Sequence, residues 1–165
     1  MTEEEKLTET TGIRKQVIEL LKGGTAHASF EDAIKDIPFK LAGVRPENLP
    51  YSVWELCEHI RIAQWDMVEF SRNPKHKSPK WPDKYWPISK APISQEQFEK
   101  CIQQIKSDLK IMIDLLEDQQ NDLFTPFPHG TGQNLIKEAL QLADHTAYHT
   151  AEIIVVRRLL KIWNG

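Results

Sequence analysis

Four stretches of this sequence repeat their apolar residues at helical spacing and none alternates them as a strand would, which restricts the fold more than any other feature. The first runs from about Thr2 to Lys22. Thr2 and Glu5 occupy the capping-box positions, Ile13, Val17, Leu20 and Leu21 follow along one side, and Gly23–Gly24 closes it. The second opens at Ser52 with Glu55, carries Leu56, Ile60, Ala63, Met67 and Phe70, and stops at Asn73–Pro74. The third begins at Ser94 with Gln97 and reaches about Gln119 through Phe98, Ile102, Ile105, Leu109, Met112 and Leu116. After the break "FTPFPHG" the fourth spans roughly Thr131 to Trp163. At ~1.5 Å per residue it would reach roughly 45 Å, so bending or fraying is expected.

The connecting stretches complete the outline. "SFEDAIKDIP" is a short helix started by Ser29 and stopped before Pro38, and residues 38–51, with three prolines and one glycine, form a connector. Residues 74–93 hold five prolines together with Trp81, Tyr85 and Trp86 and read as a long irregular crossover. The expected fold is all-α: a four-helix bundle with a long crossover between its second and third helices, in one domain over residues 1–165.

Composition narrows the function classes. With 40% hydrophobic and 27% charged residues, this is the profile of an ordinary soluble globular chain. A net charge of −3 argues against nucleic-acid binding through overall charge. Cys57 and Cys101, the two cysteines, lie inside expected helices and make no disulfide framework, which points to a reducing compartment. "MTEEEKLTET" has no apolar leader segment, and no apolar run approaches the ~20 residues of a membrane span. A cytoplasmic location is expected.

The apolar stripe of the fourth helix reads Leu135, Ala139, Leu142, then His145 and His149, then Ile153, Val156 and Leu160. Residues four apart on a helix stack on one face, with Cβ atoms about 5–6 Å apart, so both imidazoles can reach one ion. A packed histidine with a single hydrogen bond is the ordinary alternative for either ring. Two in register change the balance, because uncompensated buried imidazoles are costly. His59, on the core side of the second helix between Leu56 and Ala63, is the third candidate ligand. Three histidines with no obligate fourth ligand leave coordination positions open, as catalytic metal sites do. Imidazole ligation suits a divalent zinc, nickel or iron ion, and copper too, without choosing among them. In the H-E-x-x-H protease motif a glutamate directly follows the first histidine; here that position is Thr146.

The segments "YSVWELCEHIRIAQWDMVEF" and "HGTGQNLIKEALQLADHTAYHTAEIIVVRRLLKIW" resemble the DinB/YfiT-like family of metal-binding four-helix bundles, and the likeness extends to "GGTAHASFEDAIKDIP" and "PKWPDKYWP". It implies that His59, His145 and His149 together bind a divalent metal. Some members of that family are thiol-dependent transferases or isomerases, in which the metal lowers the pKa of a low-molecular-weight thiol, and many others have no known substrate. The family's histidine pair is often followed by Gly-Gln, where this chain has Ala151 and Glu152. Glu152, three residues after His149, could serve as base, as ligand or as a plain solvated residue. Glu58 is a second candidate base, and with Asp144 a candidate to orient an imidazole.

The leading expectation is therefore a metal-dependent enzyme that activates water or a small thiol, of transferase or hydrolase type. The alternative is a non-catalytic, stress-associated bundle whose metal is structural. The expected partner is a small molecule, with no nucleic acid or membrane, and the chain is expected to be a homodimer. Arg72, Lys75, Lys77, Lys80, Lys84 and Lys90 make the crossover basic. Its aromatic residues are expected to pack over one end of the bundle while the lysines stay in water. Over an open end the crossover would be a lid favouring an anionic substrate. His27 and His129 fall in glycine-flanked connectors, and Cys57 reads as a core residue.

Overall fold

The computed structural model describes residues 2–164, which form six α-helices and no strand. These are α1 (Glu3–Lys22), α2 (Phe30–Ile34), α3 (Phe39–Ala42), α4 (Val53–Arg72), α5 (Gln95–Glu117) and α6 (Leu135–Leu159). The fold is all-α. Helix α4 packs most extensively on α5 and α6, while α1 lies against α5 and α6, and α2 against α6. Among the described residues no helix is long and apolar enough to cross a membrane.

Local chemistry fixes the helix starts. Thr2 with Glu5 and Ser52 with Glu55 form complete capping boxes, so two of the otherwise unpaired first-turn N–H groups are satisfied at each start. Ser94 accepts from the Gln97 N–H, and the Gln97 side chain reaches past it to the Ile93 N–H. Gly23 ends α1 at φ 65°, a left-handed conformation that glycine adopts without a Cβ penalty. A buried Arg14 on α1 closes the far end of α5 by donating to the carbonyl oxygens of Leu116 and Asn121.

Two elements differ from expectation. The connector 38–51 contains the one-turn helix α3, started after Pro38, whose missing N–H costs nothing at a helix start. The last helix is 25 residues long, not the 33 of the expected span. Its start moves to Asn134, whose side chain accepts from the Lys137 N–H; residues 127–133 close instead into a turn in which the Phe127 N–H donates to the Gln133 carbonyl. At its other end the Ile162 N–H bonds the Arg157 carbonyl, the Lys161 N–H bonds the Arg158 carbonyl, and Lys161 stands at φ 59°. That is a Schellman stop with lysine where glycine is usual.

The core divides into two apolar clusters. One gathers Val17 and Leu21 of α1, Ala63 and Met67 of α4, Met112 and Leu116 of α5, and Leu135, Ala139 and Leu142 of α6. The other gathers Val53, Trp54, Leu56 and Ile60 of α4, Phe98, Ile102 and Ile105 of α5, and Ile153 and Val156 of α6. Cys57 and Cys101 belong to the second cluster, and burial pushes both thiols well above their usual range, so they are core groups and not nucleophiles. Where the clusters meet, buried polar side chains take over: His59 and Gln64 of α4, Asp108 of α5, and His149 and Thr150 of α6. Gln64 donates to the Ile105 carbonyl across this layer.

Candidate metal centre

His59, His145 and His149 meet in the polar layer. Each offers one ring nitrogen, and these atoms lie within 4.8 Å of one another. The ring centroids are 4.8 Å apart for His59 and His145, 4.6 Å for His59 and His149, and 4.5 Å for His145 and His149, all edge-on. His59 is 2% exposed and His149 7%, so water does not satisfy these rings.

Hydrogen bonds fix which nitrogen faces inward. Nδ1 of His59 lies 2.7 Å from the Tyr85 carbonyl, which can only accept, so this nitrogen carries the proton and Nε2 keeps its lone pair. That Nε2 lies 3.1 Å from Nε2 of His145. Nδ1 of His149 lies 2.6 Å from Oε2 of Glu152, a carboxylate–histidine pair that likewise frees Nε2. A carbonyl and a carboxylate on the outer ring nitrogens are the usual partners of metal-ligating histidines.

The electrostatics favour neutral rings. Burial pushes His145 down to about 3, with the neighbouring His149 and His59 adding to the shift. Burial, followed by the nearby His59, lowers His149 to about 4. His59 is also lowered by burial, with the Tyr85 carbonyl and Glu152 opposing. Although Glu152 touches His149, burial outweighs that contact, and the pair is best described as a neutral imidazole donating to a carboxylate. Neutral imidazole is the form that binds metal.

These residues fit a divalent ion. Two imidazole nitrogens at the usual ~2.0–2.1 Å from one ion stand roughly 2.9–3.4 Å apart, a range that includes the 3.1 Å between His59 and His145. The third ring has to move by about one to two ångström to join them. Without an ion, the His145 Nε2–H would donate to His59 Nε2, and the inner nitrogen of His149 would have no partner from the other two.

Of the other residues singled out in the sequence, Glu152 lies beside the cluster with its Oε2 engaged by Nδ1 of His149. Both oxygens of Glu58 are taken by the Arg61 guanidinium, at 2.7 and 2.9 Å, so neither the base role nor the orienting role fits it. Asp144 is exposed and holds no ring. Thr146 is half-buried, and its hydroxyl has no hydrogen-bond partner among the described residues. His129 stands apart from the cluster: its Nε2 donates to the Phe70 carbonyl, and its ring stacks on Phe127. His27 is exposed beside the Ala28 carbonyl.

What periodicity could not show is the contribution of the segment between α4 and α5. Trp86 lies face to face with His59, ring centroids 3.9 Å apart and 2° from parallel, and Tyr51 stacks on its other side at 4.9 Å. Trp86 also packs against both apolar clusters. The Tyr85 hydroxyl donates to Oδ2 of Asp66, and His76 Nε2 lies 2.7 Å from Oδ1 of the same carboxylate. Asp66 on α4 therefore clamps this segment at two points, and the clamp holds the carbonyl that orients His59. Trp81, expected to pack, is 65% exposed. Lys75, Lys77, Lys80, Lys84 and Lys90 are all exposed.

A cavity of about 350 Å³ borders the cluster at His145, between α4, α6 and the Tyr85 segment. A scan of protein-family models, a search of curated proteins and a search of solved structures each returned no match. Fold and site define an all-helical protein with a three-histidine cluster that could hold a metal ion.

Proposed function

We propose that this chain is a metal-dependent enzyme of the DinB/YfiT-like kind: a four-helix bundle of α1, α4, α5 and α6, with residues 73–94 as its long crossover. His59, His145 and His149 would hold the ion. The convergence of three neutral imidazoles, two of them with their outer nitrogens engaged by Tyr85 and Glu152, is the observation that carries this reading. When bound, a divalent ion supplies Lewis acidity and lowers the pKa of a water or small-thiol nucleophile.

The chain's own groups have distinct tasks. Glu152 fixes the tautomer and direction of His149 and is a positioning residue. The Tyr85 carbonyl does the same for His59, and Trp86 prevents that ring from tilting and shields it from solvent. The cavity beside His145 gives a small molecule access from one side, which favours a catalytic centre over a closed structural one. The reaction would be of transferase or hydrolase type, and thiol transfer rests on the family resemblance.

The test is the metal content of protein purified without an affinity tag, wild type beside His149→Ala. About one equivalent of zinc, nickel or iron is expected in the wild type, with most of it lost in the variant. Equal content in both would remove the three-histidine site.

A further inference from the structure

Glu138 is a buried carboxylate whose side chain bonds to none of the described residues. It is 6% exposed, lines the cavity beside His145, and makes no hydrogen bond or ion pair with any described residue. Burial without donors is costly for a carboxylate, and here it raises the Glu138 pKa; the charge of Lys137 opposes the shift and the smaller effect of Asp66 adds to it. Asp66 faces the same cavity, but its two oxygens are occupied by Tyr85 and His76. The inner wall thus holds two buried carboxylates, one of them without a hydrogen bond or ion pair among the described residues. Phe70, Trp81 and Tyr85 supply aromatic surface beside them. The nearest positive side chain in the lining, Lys137, is exposed.

We infer that this cavity binds a small molecule carrying a cationic nitrogen, an ammonium or guanidinium, with Glu138 as the group that recognises it. The inference rests on reading the histidine cluster as the reacting centre. Glu138 and His145 are seven residues apart on α6, two turns on the same face and roughly 10 Å along its axis. A molecule anchored at Glu138 through its cation therefore presents its far end at His145. The N–H groups of the cation supply the donors that Glu138 lacks, and the aromatic rings accept its charge and its apolar body. This is opposite in sign to the anionic substrate that the basic crossover suggests, because the lysines point to water while the carboxylates point into the cavity.

The test compares three probes of one shape, phenethylamine, 2-phenylethanol and phenylacetate, titrated calorimetrically into the full chain with zinc and after chelation. Phenethylamine should bind at least roughly tenfold more tightly than the alcohol, with phenylacetate weakest. Glu138→Gln, which removes a buried charge and keeps the side chain's shape, should bring amine and alcohol within about threefold of each other and leave zinc content unchanged. Equal binding of amine and alcohol to the unmodified chain would overturn the inference. So would preference for phenylacetate, selectivity that survives in Glu138→Gln, or no binding of any probe up to about 10 mM. Zinc measured on the same samples separates the two readings. Amine selectivity without zinc supports this inference and removes only the metal centre, whereas zinc without selectivity removes only this inference.

Discussion

Glu152 touches His149 and would act on a metal ion through that ring. Replacing it with alanine should weaken zinc affinity by roughly 10–100-fold, measured against a chromophoric competitor, while Glu152→Gln, which keeps an acceptor for the Nδ1 proton, should recover part of the loss. Unchanged affinity in the alanine variant would show that the contact positions nothing. The same rings set a pH response in the metal-free protein. His145 and His149 titrate near 3 and 4 in the folded chain, and near 6.5 when unfolded. Between these values the unfolded state holds more protons, so stability is full above about pH 6.5 and falls as the pH drops toward 4. Urea unfolding of chelated protein across that window should show uptake of up to roughly two protons on unfolding. The raised carboxylates Asp108, Glu138 and Glu152 oppose this uptake, so the check is the difference from a His145→Gln, His149→Gln variant. An identical profile in that variant would mean that the rings are not buried in the neutral form.

At the scale of elements, the helices were legible because their starts carry their own chemistry. Thr2–Glu5, Ser52–Glu55 and Ser94–Gln97 announce a turn before any tertiary contact exists, and the observed starts follow them. The end of α6 was hidden for the converse reason. Its stop uses Lys161 in the left-handed conformation, so no glycine marks it. Lys161→Gly should relieve that strain by roughly 0.5–1 kcal/mol and raise Tm by about 1–4 °C, since the backbone hydrogen bonds of the stop do not need the side chain. A lowered Tm would contradict this description of the helix end. His145 and His149 could be read from helical spacing alone. The Tyr85 carbonyl could not, because it is a backbone acceptor in a proline-rich segment without period. A partial signal existed in Asp66: seven residues after His59, it sets an acid among Ala63, Met67 and Phe70, where an apolar residue would be expected.

On the scale of the whole molecule, two apolar clusters hold the helices together on either side of a polar layer, and the candidate centre lies within that layer. Each cluster draws on α4, α5 and α6, so the rings on α4 and α6 face each other on a frame packed from both sides. The segment between α4 and α5, pinned by Asp66, covers His59 with Trp86, while the opposite approach at His145 stays open to the cavity. Sequence spacing could propose that His59 lies level with the pair; only packing sets its height, through Ile60 in one cluster and Ala63 in the other. The most direct test is X-ray absorption spectroscopy of the zinc-loaded full chain, which counts imidazole ligands by their outer-ring scattering. Three imidazoles at about 2.0–2.1 Å, with lighter oxygen or sulfur scatterers completing the shell, are expected. A zinc shell with one imidazole or none would contradict the three-histidine centre.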